Sequence, residues 1–194
     1  TGPGSANVIG GQFAALKTVG KSVEDMVIKE PVALKVAFGE NPKSVYSKQK
    51  KAPSTRMATA AILRETLIKA MEYKGKIESS KRDGDKKPER DLKLEVLVKV
   101  LNGEIPLKAH AHRADDILTA IRIAREFNVN ITIDHCTEGH KIVDYLIEAD
   151  VPVIVGPTLS ERSKYELKEL NFKTPGILSK AGLDVALMTD HPVI

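Results

Sequence analysis

IPLKAHAHRADDILTAIRIAREFNVNITIDHCTEGHKIVDYLIEADVPVIV, residues 105–155, repeats one pattern along its length: a short apolar run, then a longer amphipathic one. The short runs at 105–109, 130–134 and 151–155 have the length and β-branched content of strands. Between them, 114–127 and 139–149 place apolar residues three and four apart, which is the period of a helix. Short buried strands alternating with helices of about 10 to 14 residues make βαβ units and a parallel sheet, so the expected class is α/β.

The pattern continues outward in both directions. Downstream, 160–170 and 176–181 read as helical and 184–189 as the last strand. Upstream, 90–101 reads as a helix. The polar stretch 74–89, with Gly75, Gly84 and Pro88, reads as a mobile loop, 56–73 as a helix, and PVALKVAF at 31–38 as a buried strand. The opening TGPGSANVIGGQ, 1–12, is glycine-rich without helical period and is expected to be an active-site type loop following a strand that is not in the chain. One domain, 1–194, is expected for 194 residues of which 42% are hydrophobic.

An open doubly wound sheet and a closed (β/α)8 barrel both satisfy this alternation. The polar residues favour the barrel, because three strands run into candidate ligands: Lys108-Ala109 into His110, Ile133-Asp134 into His135, and Met188-Thr189 into Asp190. In a barrel such C-terminal ends converge on one rim. About 250 residues and eight strands complete a barrel, and six strands are legible, so the expectation is an incomplete TIM-type barrel.

Composition narrows the function. The formal net charge is +4 and the pI about 9.0, yet between Lys74 and Lys99 basic and acidic residues alternate, which describes a solvated face. With no tryptophan and 4% aromatic residues there is little on which to stack bases, so nucleic acid is not an expected partner. No apolar run approaches the roughly 20 residues that span a bilayer, so no membrane association is expected. Cys136 is the only cysteine; it permits no intrachain disulfide and suggests a reducing, cytoplasmic setting. Gly20-Lys21-Ser22 imitates the end of a phosphate loop, but Ala15 stands where that loop needs glycine. Asn130-Ile131-Thr132 is a glycosylation triplet that opens a buried strand. Cys136 lacks an evident base and is expected to pack rather than to react.

Singly, each of the five histidines could be an ordinary packed or surface residue. Jointly, His110, His135 and Asp190 offer imidazole nitrogen and carboxylate oxygen from equivalent strand ends, the donor set of catalytic zinc sites. His112, two residues after His110 on extended chain, points the same way and could reach substrate or support a ligand. His140 and His191 read as supporting or surface residues.

HAHRADDI (110–117), TIDHCTEGH (132–140) and MTDHPVI (188–194) resemble, in order, strands five, six and eight of the metal-dependent amidohydrolase superfamily. ALKVAFGENPK (33–43) is similar to the strand-four segment of its imidazolonepropionase and prolidase-like branch, and TGPGSANVIGGQ resembles the loop after strand two there. The resemblance implies that His110 and His135 bind metal and that Asp190 binds metal and takes the proton of the attacking water. It also implies that Lys35 stands where dinuclear members carry a carboxylated lysine. A lysine facing polar surroundings is the plainer reading of Lys35, and Glu40 is the alternative bridging carboxylate. His112 and Arg113 are the expected substrate contacts.

The implied activity is hydrolysis of an amide or cyclic amide by water activated on one or two divalent ions, zinc first, with iron or manganese as substitutes. The expected partner is a small-molecule amide; assembly into a homo-oligomer is left open. The family's strand-one His-x-His pair and its flanking β domain are not found in the sequence, so the chain by itself is expected to have little or no activity. A barrel that binds a ligand or a partner without chemistry is the competing reading. A phosphate-binding barrel ranks last, for want of a suitable loop and helix pair.

Overall fold

The computed structural model describes residues 1–83 and 87–191. Gly84 and the last three residues of MTDHPVI therefore lie outside the described residues.

Six strands form one sheet in chain order: β1 (Ile9–Leu16), β2 (Val27–Ala37), β3 (Leu107–Ala111), β4 (Ile131–His135), β5 (Val153–Val155) and β6 (Val185–Leu187). From β2 to β6 every neighbouring pair is parallel, whereas β1 runs antiparallel to β2. Among the described residues seven α-helices accompany them: α1 (Val23–Met26), α2 (Glu40–Lys48), α3 (Arg56–Asp83), α4 (Leu92–Leu101), α5 (Ala114–Phe127), α6 (Val143–Ala149) and α7 (Thr174–Lys180). The chain is α/β with a parallel core, as its alternation predicts.

The repeat at the centre has a physical basis in each part. β3 and β4 share one burial pattern, and their register runs from Leu107 opposite Ile131 to Ala111 opposite His135. Helix α5 turns Ile117, Ala120, Ile121 and Ala124 onto the sheet, and Asn128 stops it in the left-handed conformation at φ 50°. Asp150 does the same after α6. Short polar residues tolerate that conformation, and each is followed closely by the next strand.

Four readings of the sequence are corrected. The glycine-rich opening is only partly a loop, because 9–16 forms β1; a Cβ on Gly10 would stand 3.1 Å from Lys35 Cβ, so glycine lets β1 lie closely on β2. Helix α3 does not stop at Tyr73 but runs to Asp83 through the stretch read as a loop. Gly75 weakens a helix by about 1 kcal/mol without breaking it, and Pro88 comes too late to interrupt it. The packing face of α3 does end near Tyr73, after Leu63, Leu67 and Ala70, so the added turns are a polar extension. The third correction is that 160–170 contains only a 3-10 turn, Tyr165–Leu167. Side-chain anchors replace a helical ladder there: Arg162 Nη2 donates to Leu170 O at 2.9 Å, and the Glu40 backbone N–H donates to Glu166 Oε2 at 2.8 Å. Finally, α2 occupies a stretch that had no assigned element.

β6 hydrogen-bonds β5 alone and β1 hydrogen-bonds β2 alone among the described residues, so these six strands do not close into a ring. The contrast in burial is large: Leu107 on β3 is wholly buried, while Leu187 on β6 is 73% exposed.

Candidate metal centre

His110, His112 and His135 come together where β3 and β4 end. One ligand atom from each lies within 4.8 Å of the other two, and all three residues are buried. The rings of His110 and His112 meet edge to face at 4.8 Å, and those of His112 and His135 stack at 4.4 Å. Alternation along β3 explains the first pair, since residues two apart share a face of extended chain. His135 has the opposite parity from Asp134 and reaches the same space through a left-handed backbone, φ 70°. Such a backbone is uncommon for a non-glycine residue and concentrates at functional sites.

Hydrogen bonding decides which nitrogens face inward. His135 Nδ1 lies 2.7 Å from Gly156 O. A carbonyl only accepts, so Nδ1 carries the proton and Nε2 of the neutral ring has a free lone pair. His110 Nε2 is 3.3 Å from Asn41 Nδ2. Asn41 Oδ1 accepts from the Lys164 ammonium, which orients the amide and makes His110 Nε2 an acceptor as well. His112 Nδ1 is 2.7 Å from Thr137 Oγ1. All three imidazoles are held below the usual histidine value, His110 and His112 far below it, because burial penalises the charged ring first and the neighbouring rings and lysines add to the effect for those two. For His135, Gly156 O, Asp190 and Asp134 oppose the shift without reversing it. Neutral rings are what a divalent ion requires, and the three residues fit such an ion once the Asn41 amide leaves His110 Nε2.

The other anticipated residues are placed as follows. Asp190, exposed and at φ 55°, lines the same cleft of about 620 Å³ with the three histidines, outside their tight group. Glu40 is likewise outside the group and contributes its backbone N–H to Glu166. Arg113 turns away to a surface pair with Asp115 at 2.8 Å, and His140 meets Thr174 Oγ1 at 3.2 Å. Cys136 is packed in the core, with burial pushing its thiol up to about 12.

Lys35 is buried, with Nζ 2.9 Å from Asp134 Oδ2; Lys108 Nζ takes the other oxygen, Oδ1, at 2.5 Å. Both ammonium groups stand 5.5 Å from the centre of the Phe13 ring. This arrangement does not fit a carboxylated lysine: only a neutral amine takes up carbon dioxide, and a carboxylate in contact favours the ammonium.

Sequence reasoning missed Asn41, Lys164 and above all Glu166. The Glu166 side chain is fully buried, with Oε1 3.9 Å from the Nε2 atoms of both His110 and His112. The signal that could have found it is a glutamate between Tyr165 and Leu167 in a segment whose apolar residues must pack.

No protein-family model and no curated protein matches the chain. A solved structure does: the crystal structure of an amidohydrolase from Thermotoga maritima MSB8, with 51% sequence identity and a TM-score of 0.97. The match covers 99% of this chain and 50% of that one, so the chain spans about half the length of the protein it matches. In sequence and in fold, this chain is similar to one half of an amidohydrolase.

Proposed function

We propose that this chain carries the metal-holding part of a hydrolase that cleaves a carbon–nitrogen bond, in an amide or a cyclic amide, with activated water. The observation that carries the reading is the trio His110, His112 and His135, buried, neutral and within 4.8 Å of one another. The similarity to an amidohydrolase over 99% of the chain supports it. In this reading residues 1–194 are one partial (β/α)8 barrel domain related to the imidazolonepropionase and prolidase-like branch, and the complete barrel is what turns over substrate.

A bound divalent ion would bring the pKa of water to about 7 and polarise a carbonyl. Zinc suits the imidazole set first, with iron or manganese as substitutes. The chain's own residues do the remaining work. His135 is aimed by Gly156 O, whereas the Asn41 amide holds the His110 Nε2 lone pair and would have to release it to the ion. Asp190, at the edge of the cleft, takes the proton of the attacking water on its carboxylate and returns it to the leaving nitrogen, combining base and acid in one group. Pro157, Leu159 and Lys164 form the wall against which a small amide lies. His112 and Arg113 are the side chains proposed to meet substrate, Arg113 after leaving its surface pair with Asp115.

Elemental analysis of the purified chain tests the reading. Near-stoichiometric zinc, iron or manganese, lost in His110→Ala and His135→Ala variants that still fold, supports it; a folded chain without metal after supplementation overturns it. Asp190→Ala, made in a version long enough to complete the barrel, should abolish hydrolysis across an amide panel and leave the fold intact.

A further inference from the structure

Glu166 is the group in the structure whose chemistry is least accounted for. Its side chain is fully buried, yet Oε1 has no hydrogen-bond partner. Such an oxygen is costly to bury, the more so when charged, unless something satisfies it. The orientation of the carboxylate is set from the other side. Oε2 accepts from the Glu40 backbone N–H at 2.8 Å and lies 3.8 Å from Arg56 Nη2. Arg56 is in turn bonded to buried Asp116 at 3.0 Å. Gly39, at φ +79°, makes room: a Cβ there would come within 2.5 Å of Oε2, so the backbone conformation and the carboxylate both require glycine at that point.

Anchored in this way, Oε1 faces His110 Nε2 and His112 Nε2, each at 3.9 Å, with Lys164 Nζ also at 3.9 Å. His110 Nε2 is itself an acceptor, as the Asn41 amide shows. Oε1 is left without a partner in this space, and a cation that displaced the Asn41 amide from the His110 Nε2 lone pair would satisfy both acceptors. With bonds of 2.0 to 2.1 Å, neighbouring donors of one tetrahedral ion stand roughly 3.4 Å apart, so a small inward movement of these side chains would complete the set.

We propose that Glu166 is a fourth donor of the metal site, its Oε1 joining His110, His112 and His135 around one divalent ion. The inference rests on the three-histidine reading and deepens it. Glu166 supplies the anionic charge that three neutral imidazoles lack. It would take the fourth position of a tetrahedral ion, leaving the attacking water to a fifth, an expansion that catalytic zinc sites allow.

Zinc alone is the probe, titrated against a competing chelator into the metal-free 194-residue chain, with thermal melts in parallel. Glu166→Gln keeps the shape and loses the charge. Zinc binding should weaken by more than about 100-fold, beyond the roughly 10- to 100-fold that loss of an outer partner of a ligand causes, and a loss within that range makes Glu166 an outer partner and overturns the inference. The metal-free variant should melt higher than the parent, because the carboxylate oxygen without a partner has been removed, and zinc should raise its Tm less. A merely structural glutamate would lower the metal-free Tm and leave zinc affinity unchanged, which overturns the inference. If Glu166→Gln fails to fold, Glu166→Asp decides: it keeps the charge and draws the oxygen back by one methylene, and unchanged affinity again overturns the inference. A parent chain that binds zinc no better than His135→Ala sinks the three-histidine reading itself, a result distinct from either.

Discussion

Two layers of side chains, one above the other on β2, β3 and β4, follow opposite rules. The lower layer, Lys35, Lys108 and Asp134, is satisfied internally: one carboxylate receives two ammonium groups and both stand near the face of Phe13. The upper layer, His110, His112 and His135 with Glu166 beside them, presents lone pairs to one another and leaves a carboxylate oxygen without a partner. Both layers are buried and polar. The difference separates a polar cluster that holds strands together from one arranged for something the protein binds, because a buried polar group left unpaired is stable only when another partner can complete it.

The largest expected effect lies in the lower layer. Asp134→Ala leaves two cations facing each other, one of them almost wholly buried, and should lower stability by about 3 to 5 kcal/mol in urea unfolding. A loss below about 1 kcal/mol would mean that the layer is not the structural one. The pH dependence of the metal-free chain probes the upper layer. The three imidazoles titrate below their usual value in the folded state, so below about pH 6.5 the unfolded chain binds protons that the folded chain refuses. Stability should be level above that value and fall beneath it, by at most about 1.4 kcal/mol per pH unit for each histidine. A profile flat from pH 7 to 5 would contradict neutral buried rings.

Smaller effects sharpen the contrast. His112→Ala removes a ring whose hydrogen bond is to Thr137 Oγ1; about 1 kcal/mol of stability should go with it, alongside a measurable weakening of zinc binding by chelator competition. If stability collapses instead, His112 belongs with the structural layer. Phe13→Leu keeps apolar bulk but removes the ring face near the two lysines, and a decrease of about 0.5 to 1 kcal/mol is expected in thermal melts, with zinc affinity untouched.

Legibility in the sequence followed the range of the interactions. The βα repeat from β3 to β5 could be read because the strand and helix periods are local and the left-handed stops at Asn128 and Asp150 act on adjacent residues. The convergence of His110, His135 and Asp190 on one cleft could be anticipated, since parallel strands carry their C-terminal ends to one side. Helix α3 ran past its expected end because polarity alone does not stop a helix, and 160–170 failed as a helix because its Glu166 is tied to the Glu40 N–H across 126 residues of sequence.

The sequence by itself determined the class of the fold, the order of its central units and the strand ends where donors would gather, all properties of patterns a few residues long. Only the tertiary structure decided which donors meet. Lys35 is paired with Asp134, 99 residues away; His112 joins His110 and His135, while Arg113, next to it, pairs with Asp115; and Glu166 is brought beside the histidines. Each outcome depends on charge and hydrogen bonding between segments far apart in the chain, where a buried group takes whichever partner the packing delivers, and no local pattern encodes that choice.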